Sequence, residues 1–189
     1  LAYPELSLGY TVALLDQEIS FETIEADLSA MTSEDVEEVA AVLPLLPNLQ
    51  TVKLSDEEGN SALTVEEVHT LQEAAPELML DYTFDLFGQR ISTTDERVEF
   101  HSKKIGDSKE QELRQALDIM KGCKYLLLEH CYLSDEVLAQ LRDDYRDQTK
   151  IVWRIYFAKA GSCLTDRTVL RYVYNVTNST VRQLKYCED

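Results

Sequence analysis

The chain has 189 residues, 44% of them apolar, which is enough to bury a real core in one or two domains. Its 35 acidic residues against 18 basic ones give a formal charge of −17, spread along the chain, and such a surface repels nucleic acid and anionic lipid. No apolar run approaches the roughly 20 residues a spanning helix needs, so no membrane span is expected.

The run over residues 4–20, PELSLGYTVALLDQEIS, opens the chain and returns over residues 76–92 as PELMLDYTFDLFGQRIS, an offset of 72. Leu6, Leu8, Tyr10 and Val12 match Leu78, Leu80, Tyr82 and Phe84, and a looser third copy supplies Ile151, Trp153, Ile155 and Phe157. Large apolar side chains at every second place are strand periodicity with one buried face. A repeat of this length marks a folding unit that shields its apolar face mainly against its neighbours. Beginning at Leu1 with no initiator Met or apolar leader, the chain reads as processed or as cut from a longer one.

Ile24, Ala26 and Leu28 alternate with Glu25 and Asp27, a short strand with one wet face. Thr32 or Ser33 then caps a helix whose stripe is Val36, Val39, Ala40, Leu43 and Leu46, and Pro44 and Pro47 end it. Leu49, Val52 and Leu54 predict a strand, SDEEGNS a polar turn, and Thr64 the cap of a helix carrying Val65, Val68, Leu71 and Ala75 up to Pro76. Gly88 and Gly161 break the copied strands at equivalent points, and the first allows a hairpin there.

The unit restarts with Val98 and Phe100, followed by a helix stripe of Leu113, Ala116, Leu117 and Met120. A strand over residues 125–129, a helix capped by Ser134 with Val137, Leu138 and Leu141, and the Trp153 strand come next. Ser179 or Thr180 opens a last helical segment. Leu8, Ala26, Val52, Leu80, Phe100, Leu126 and Trp153 stand 18 to 28 residues apart, a solenoid rhythm.

The segment CKYLLLEHCYL from Cys123 to Leu133 resembles the leucine-rich-repeat pattern LxxLxLxxCxL, and LQTVKL from Leu49 to Leu54 resembles its first half. The loop after Leu54 is too long for the standard repeat. With LTVEEVHTLQEAAPELMLDYTF, YLSDEVLAQL and KIVWRIYFAKAG, the chain is similar to leucine-rich-repeat proteins of gut Gram-positive bacteria over most of residues 20–160. The resemblance implies an α/β solenoid with a mainly parallel β-ladder and helices on the opposite side, binding other molecules at the bacterial cell surface. Residues 1–189 are then expected to form a single domain of degenerate repeats, with copies over about 4–75, 76–147 and a partial 148–189.

In such a solenoid the residues between buried strand positions face outward, where partners dock. Thr51, Lys53, Glu99, His101, Tyr125, Leu127 and Glu129 are the candidate binding face, with Glu25, Asp27 and Ser55 beside them. The plain alternative is a solvated strand face. Tyr125 and Leu127 are the stronger anchors, an aromatic beside an apolar residue. The expected partner is a protein or glycan, or further repeats of the same chain.

His101, Cys123, His130 and Cys131 could be drawn as a zinc set, but the repeat pattern turns the cysteines inward and the histidines outward, so no metal is expected. The four cysteines, with Cys163 and Cys187, show no CxxC spacing and no readable disulfide framework. Asp56, Glu57, Glu58 and Asn60 around Gly59 lack the spacing of a calcium loop and read as an acidic turn. Asn175 and Asn178 begin sequons that matter only in a eukaryotic secretory route.

No GxSxG, HExxH, P-loop or dinucleotide turn is present, so a non-enzymatic recognition or scaffold module without cofactor is expected. An acidic carbohydrate hydrolase is the enzymatic alternative, and it would need two converging carboxylates, one with a raised pKa. A capping region with no ligand of its own is the structural alternative.

Overall fold

The computed structural model describes residues 9–15, 17–157, 161–167 and 178–187. Leu6 and Leu8 of the opening run, and the Asn175 sequon, lie outside the described residues. The chain divides into two compact units, one covering Leu1–Thr94 with Asp118–Lys121, the other Asp95–Leu117 with Gly122–Asp189.

In the first unit β1 (Thr11–Leu14) and β2 (Gln17–Ser20) form an antiparallel hairpin. Then β3 (Glu25–Asp27), β4 (Thr51–Lys53) and β5 (Met79–Asp81) form a parallel sheet in that order, with Ala26, Val52 and Leu80 in register. The crossovers carry α1 (Val36–Val42) and α2 (Val65–Ala74), which bury Val36 and Val39, and Val68, Leu71 and Gln72. Thr64 caps α2 through a reciprocal box: its hydroxyl accepts from Glu67 N, and the Glu67 carboxylate accepts from Thr64 N at 2.7 Å. At the far end the buried Gln72 turns its amide N–H groups toward the carbonyls of Ala75, Pro76 and Leu78, in the turn that follows the helix.

After β5 the chain leaves the parallel sheet. The hairpin β6 (Thr83–Leu86) and β7 (Gln89–Ser92) turns through Phe87 and Gly88, both at positive φ, 51° and 71°. Two consecutive left-handed residues make the turn whose twist matches paired strands.

The second unit repeats this plan. The strands β8 (Arg97–His101), β9 (Tyr125–Glu129) and β10 (Lys150–Tyr156) run parallel, and β11 (Ser162–Leu164) adds antiparallel to β10, giving the order β11-β10-β9-β8. The helices are α3 (Glu110–Ile119), α4 (Asp135–Tyr145), capped by Ser134, and α5 (Asn178–Gln183). Phe100, Leu113, Ala116, Leu117, Leu126, Leu141, Ile151 and Trp153 make a water-free core.

The hairpins share one closure. Thr93 N donates to Tyr82 O at 2.9 Å while Tyr82 N donates to the Thr93 hydroxyl; Thr165 N donates to Trp153 O at 2.9 Å while Trp153 N donates to the Thr165 hydroxyl. In the opening copy Phe21 N donates to Tyr10 O at 3.0 Å with no hydroxyl in that place. The structural partner of Tyr82 is therefore Trp153, one step of two residues from the alignment in which Trp153 matches Leu80.

The expected leucine-rich-repeat-like solenoid with a mainly parallel β-ladder is not what forms. Among the described residues four small sheets stand in its place: two antiparallel hairpins, a three-stranded parallel sheet, and a four-stranded mixed sheet. A solenoid needs each strand to pair with the next across every repeat. Here the copied run divides at Tyr82, and the Phe87–Gly88 turn folds its second half onto itself, so the parallel pairing stops at β5 and resumes only at β8.

Candidate functional site

The expected binding face does not lie on one sheet. Thr51 and Lys53 are on β4 of the first unit, where Lys53 Nζ is 3.8 Å from Asp27, an exposed pair of little energetic weight. Glu99, His101, Tyr125, Leu127 and Glu129 are on β8 and β9 of the second unit and come together there. Leu127 is 5% exposed, so it belongs to the core and is no surface anchor. Ser55 is buried as well, its hydroxyl accepting from Thr83 N.

Strand alternation puts the remaining residues of the second sheet into one charged row. Arg97 Nε lies 2.5 Å from Glu99, whose other oxygen is 3.0 Å from His101 Nε2; His101 Nδ1 is 3.1 Å from Glu129, which also accepts from Arg154 Nε. The Arg97 guanidinium sits 4.0 Å over the Tyr125 ring, and the Tyr125 hydroxyl lies 3.5 Å from Asp166. Signs alternate along the row, so each carboxylate has a cationic neighbour. The His101 hydrogen bond, then Arg97, hold the Glu99 carboxyl below the usual range, and Arg154 does the same for Glu129.

Glu99, then Glu129, raise the His101 pKa above its ordinary value. A raised folded-state pKa gives stability that is fully present below the unfolded value and is lost as pH rises through the folded one. The titration midpoint of the His101 ring, followed by NMR, is expected above 6.5 and is expected to fall in Glu99→Gln. A midpoint unchanged by that substitution would contradict the row as described.

Beside this row, where the parallel strands end, lies an open cleft of about 570 Å³. Its lining includes His130, Tyr132, Asp135, Trp153, Arg154 and Tyr156. The carboxyl ends of parallel strands are where α/β sheets place ligands, because the chain leaves each strand there and loops surround a crevice. Ser102, just past β8, and His130, just past β9, hold φ of 54° and 56°, and Tyr132 holds 60°. Left-handed backbone at three non-glycine residues costs on the order of 1–3 kcal/mol each and is concentrated at this rim.

Tyr132 and Tyr156 stand 71% and 51% exposed. His130 stacks on Tyr156 with ring centroids 5.8 Å apart, and their polar atoms share a hydrogen bond. On the wall, the Trp153 indole N–H donates to Asp135 Oδ1 at 2.9 Å, and Arg142 lies 5.2 Å from the indole ring. Burial raises the Asp135 pKa, with the Trp153 hydrogen bond working against it. The cleft thus offers aromatic surface for a ring or apolar group beside polar groups that fix orientation.

Other expected features fall elsewhere. Cys123 and Cys131 are buried, their sulfurs against the carbonyls of Tyr125 and of Phe100 at 3.4 Å, while His101 and His130 are exposed, so the zinc set is not assembled. Among the described residues no group of three or more His, Cys, Asp or Glu could hold a metal ion. Asp56 closes its own turn, accepting from Asn60 N at 2.6 Å, and Arg90 donates to the carbonyls of Glu58 and Gly59. Among the described residues no helix is long and apolar enough to cross a membrane.

Sequence reasoning missed Arg97, Arg154, Tyr132, Asp135 and Tyr156, and weighed His130 only as a metal ligand. Arg97 and Arg154 were within reach, being on the same alternation as Glu99 and Tyr125. Compared with family models, with curated proteins and with solved structures, the chain has no match.

Proposed function

We propose that this chain is a non-enzymatic recognition module that binds a protein or glycan through the strand row and adjoining cleft of its second unit, at a bacterial cell surface. The observation that carries the reading is the pair of exposed tyrosines, Tyr132 and Tyr156, at the mouth of a 570 Å³ cleft continuous through Arg154 with the row of Glu99, His101 and Glu129. Exposed tyrosines lose little side-chain entropy on binding and supply large contact area, so they concentrate at binding hot spots.

Pairing on the row favours recognition over hydrolysis. A glycosidase acid must keep its proton near neutrality, whereas Glu99 and Glu129 are both held below the ordinary carboxylate range by adjacent cations; Asp135, whose pKa burial raises, is the one carboxylate among the described residues lining the cleft, where hydrolysis needs two that converge. The test is a screen of the folded chain against arrayed glycans and surface proteins, with each hit mapped by NMR shift changes. Stoichiometric binding without turnover, with shifts centred on Glu99, His101, Tyr125, Glu129, Tyr132 and Tyr156, is expected; shifts confined to the first unit would overturn the assignment.

A further inference from the structure

The sulfur atoms of Cys163 and Cys187 lie 4.0 Å apart, both half-buried. Cys163 is the middle residue of β11, opposite Ile155 of β10; Cys187 directly follows the single helical turn Leu184–Tyr186 that ends α5. We propose that these two thiols are an oxidative modification site, closing to a disulfide that fastens the segment after α5 to the edge of the second sheet.

Several observations converge on that pair. A disulfide needs sulfurs about 2 Å apart, so closure asks for a shift of about 2 Å, within the reach of side-chain rotation. Cys123 and Cys131 differ in kind, since both are buried with their sulfurs against backbone carbonyls. The neighbouring residue Tyr186 is already anchored: its hydroxyl donates to Glu136 at 2.7 Å, its carbonyl accepts from Arg142 at 2.7 Å, and its ring meets Trp153 edge-on at 6.2 Å. These contacts hold Cys187 where Cys163 can meet it. A bond between the two would in turn hold Tyr186 against Trp153, the wall of the cleft.

The step balances with a small-molecule disulfide as oxidant. The Cys187 thiolate attacks one sulfur of that disulfide, forming a mixed disulfide and expelling one thiolate. Cys163 then loses its proton and attacks the Cys187 sulfur, expelling the second thiolate. Two protein thiols are oxidised and one small disulfide is reduced, and the two protons the protein thiols give up end on the two expelled thiolates, making two small-molecule thiols. Cys187 is the better first nucleophile: burial pushes the Cys163 thiol up to about 12, and although burial raises the Cys187 thiol as well, the hydrogen bond with Cys163 and the charge of Arg142 offset part of that rise. Burial makes the reaction slow and selective.

The experiment equilibrates the native full chain with oxidised glutathione, blocks residual thiols with an alkylating reagent, and reads peptides by mass. A Cys163–Cys187 cross-link is expected, lost in Cys187→Ser, with Cys163→Ser instead accumulating glutathione on Cys187. The oxidised chain is expected to melt about 5–10 °C higher than the reduced one, since closing a loop of this length constrains the unfolded chain. Recovery of both cysteines in alkylated form at equilibrium would overturn the proposal, as would cross-links through Cys123 or Cys131.

Discussion

Replacing Trp153 with alanine is expected to lower the stability of the second unit by about 3–5 kcal/mol, the range for removing a fully buried large aromatic. Trp153 is 1% exposed and sits at the centre of β10. The indole packs edge-on against Tyr186, lies under the Arg142 guanidinium and donates to Asp135. Alanine leaves a cavity and also removes the donor of a carboxylate whose pKa burial already raises, so the loss exceeds the apolar area alone. Trp153→Phe keeps most of the volume and isolates the hydrogen bond, with an expected cost of about 1–3 kcal/mol. Because Trp153 is the one tryptophan of the chain, its own fluorescence cannot report on these variants; amide exchange along β9 and β10 can. Unchanged exchange in the alanine variant would contradict the core as described.

Thr93→Val and Thr165→Val are expected to cost about 1–3 kcal/mol each, and to cost similar amounts, the range for leaving a buried polar group unpaired. Each threonine is essentially water-free, 0% and 1% exposed, and each hydroxyl accepts the backbone N–H of the aromatic residue across its hairpin, Tyr82 or Trp153. Valine matches the shape and removes the acceptor. The affected N–H should lose exchange protection in each variant while the neighbouring strand amides change less. A large effect at one threonine and none at the other would contradict a closure shared by the two units.

Local chemistry was legible in the sequence. The caps at Thr64 and Ser134, the helix stripes through Val68 and Leu71 and through Leu113 and Leu117, and the break at Gly88 all follow from residues within one turn of each other. What the sequence hid was the pairing of distant strands. The run through Tyr82 has unbroken strand periodicity, yet its halves join different sheets, a choice settled by Thr93 eleven residues later. Alternation also failed at β9, where Leu126, Leu127 and Leu128 are all buried; a strand enclosed on both faces loses the period that marks an outward side. That is why Leu127 read as an anchor. Glu99, His101, Tyr125 and Glu129 were found because alternation holds along β8 and at the two ends of β9, while the cleft depended on where chain segments end after folding. The Cys163–Cys187 approach, across 24 residues, carries no spacing signal at all.

The recognition reading stands or falls most directly on the affinity of the Tyr132→Ala, Tyr156→Ala double variant for a partner found with the unaltered chain. Both side chains are exposed, so the variant should melt within a degree or two of the parent. Binding weaker by about tenfold or more is the predicted result, the loss expected when hot-spot aromatics are truncated. Equal affinity in the two proteins, with folding intact, would contradict it.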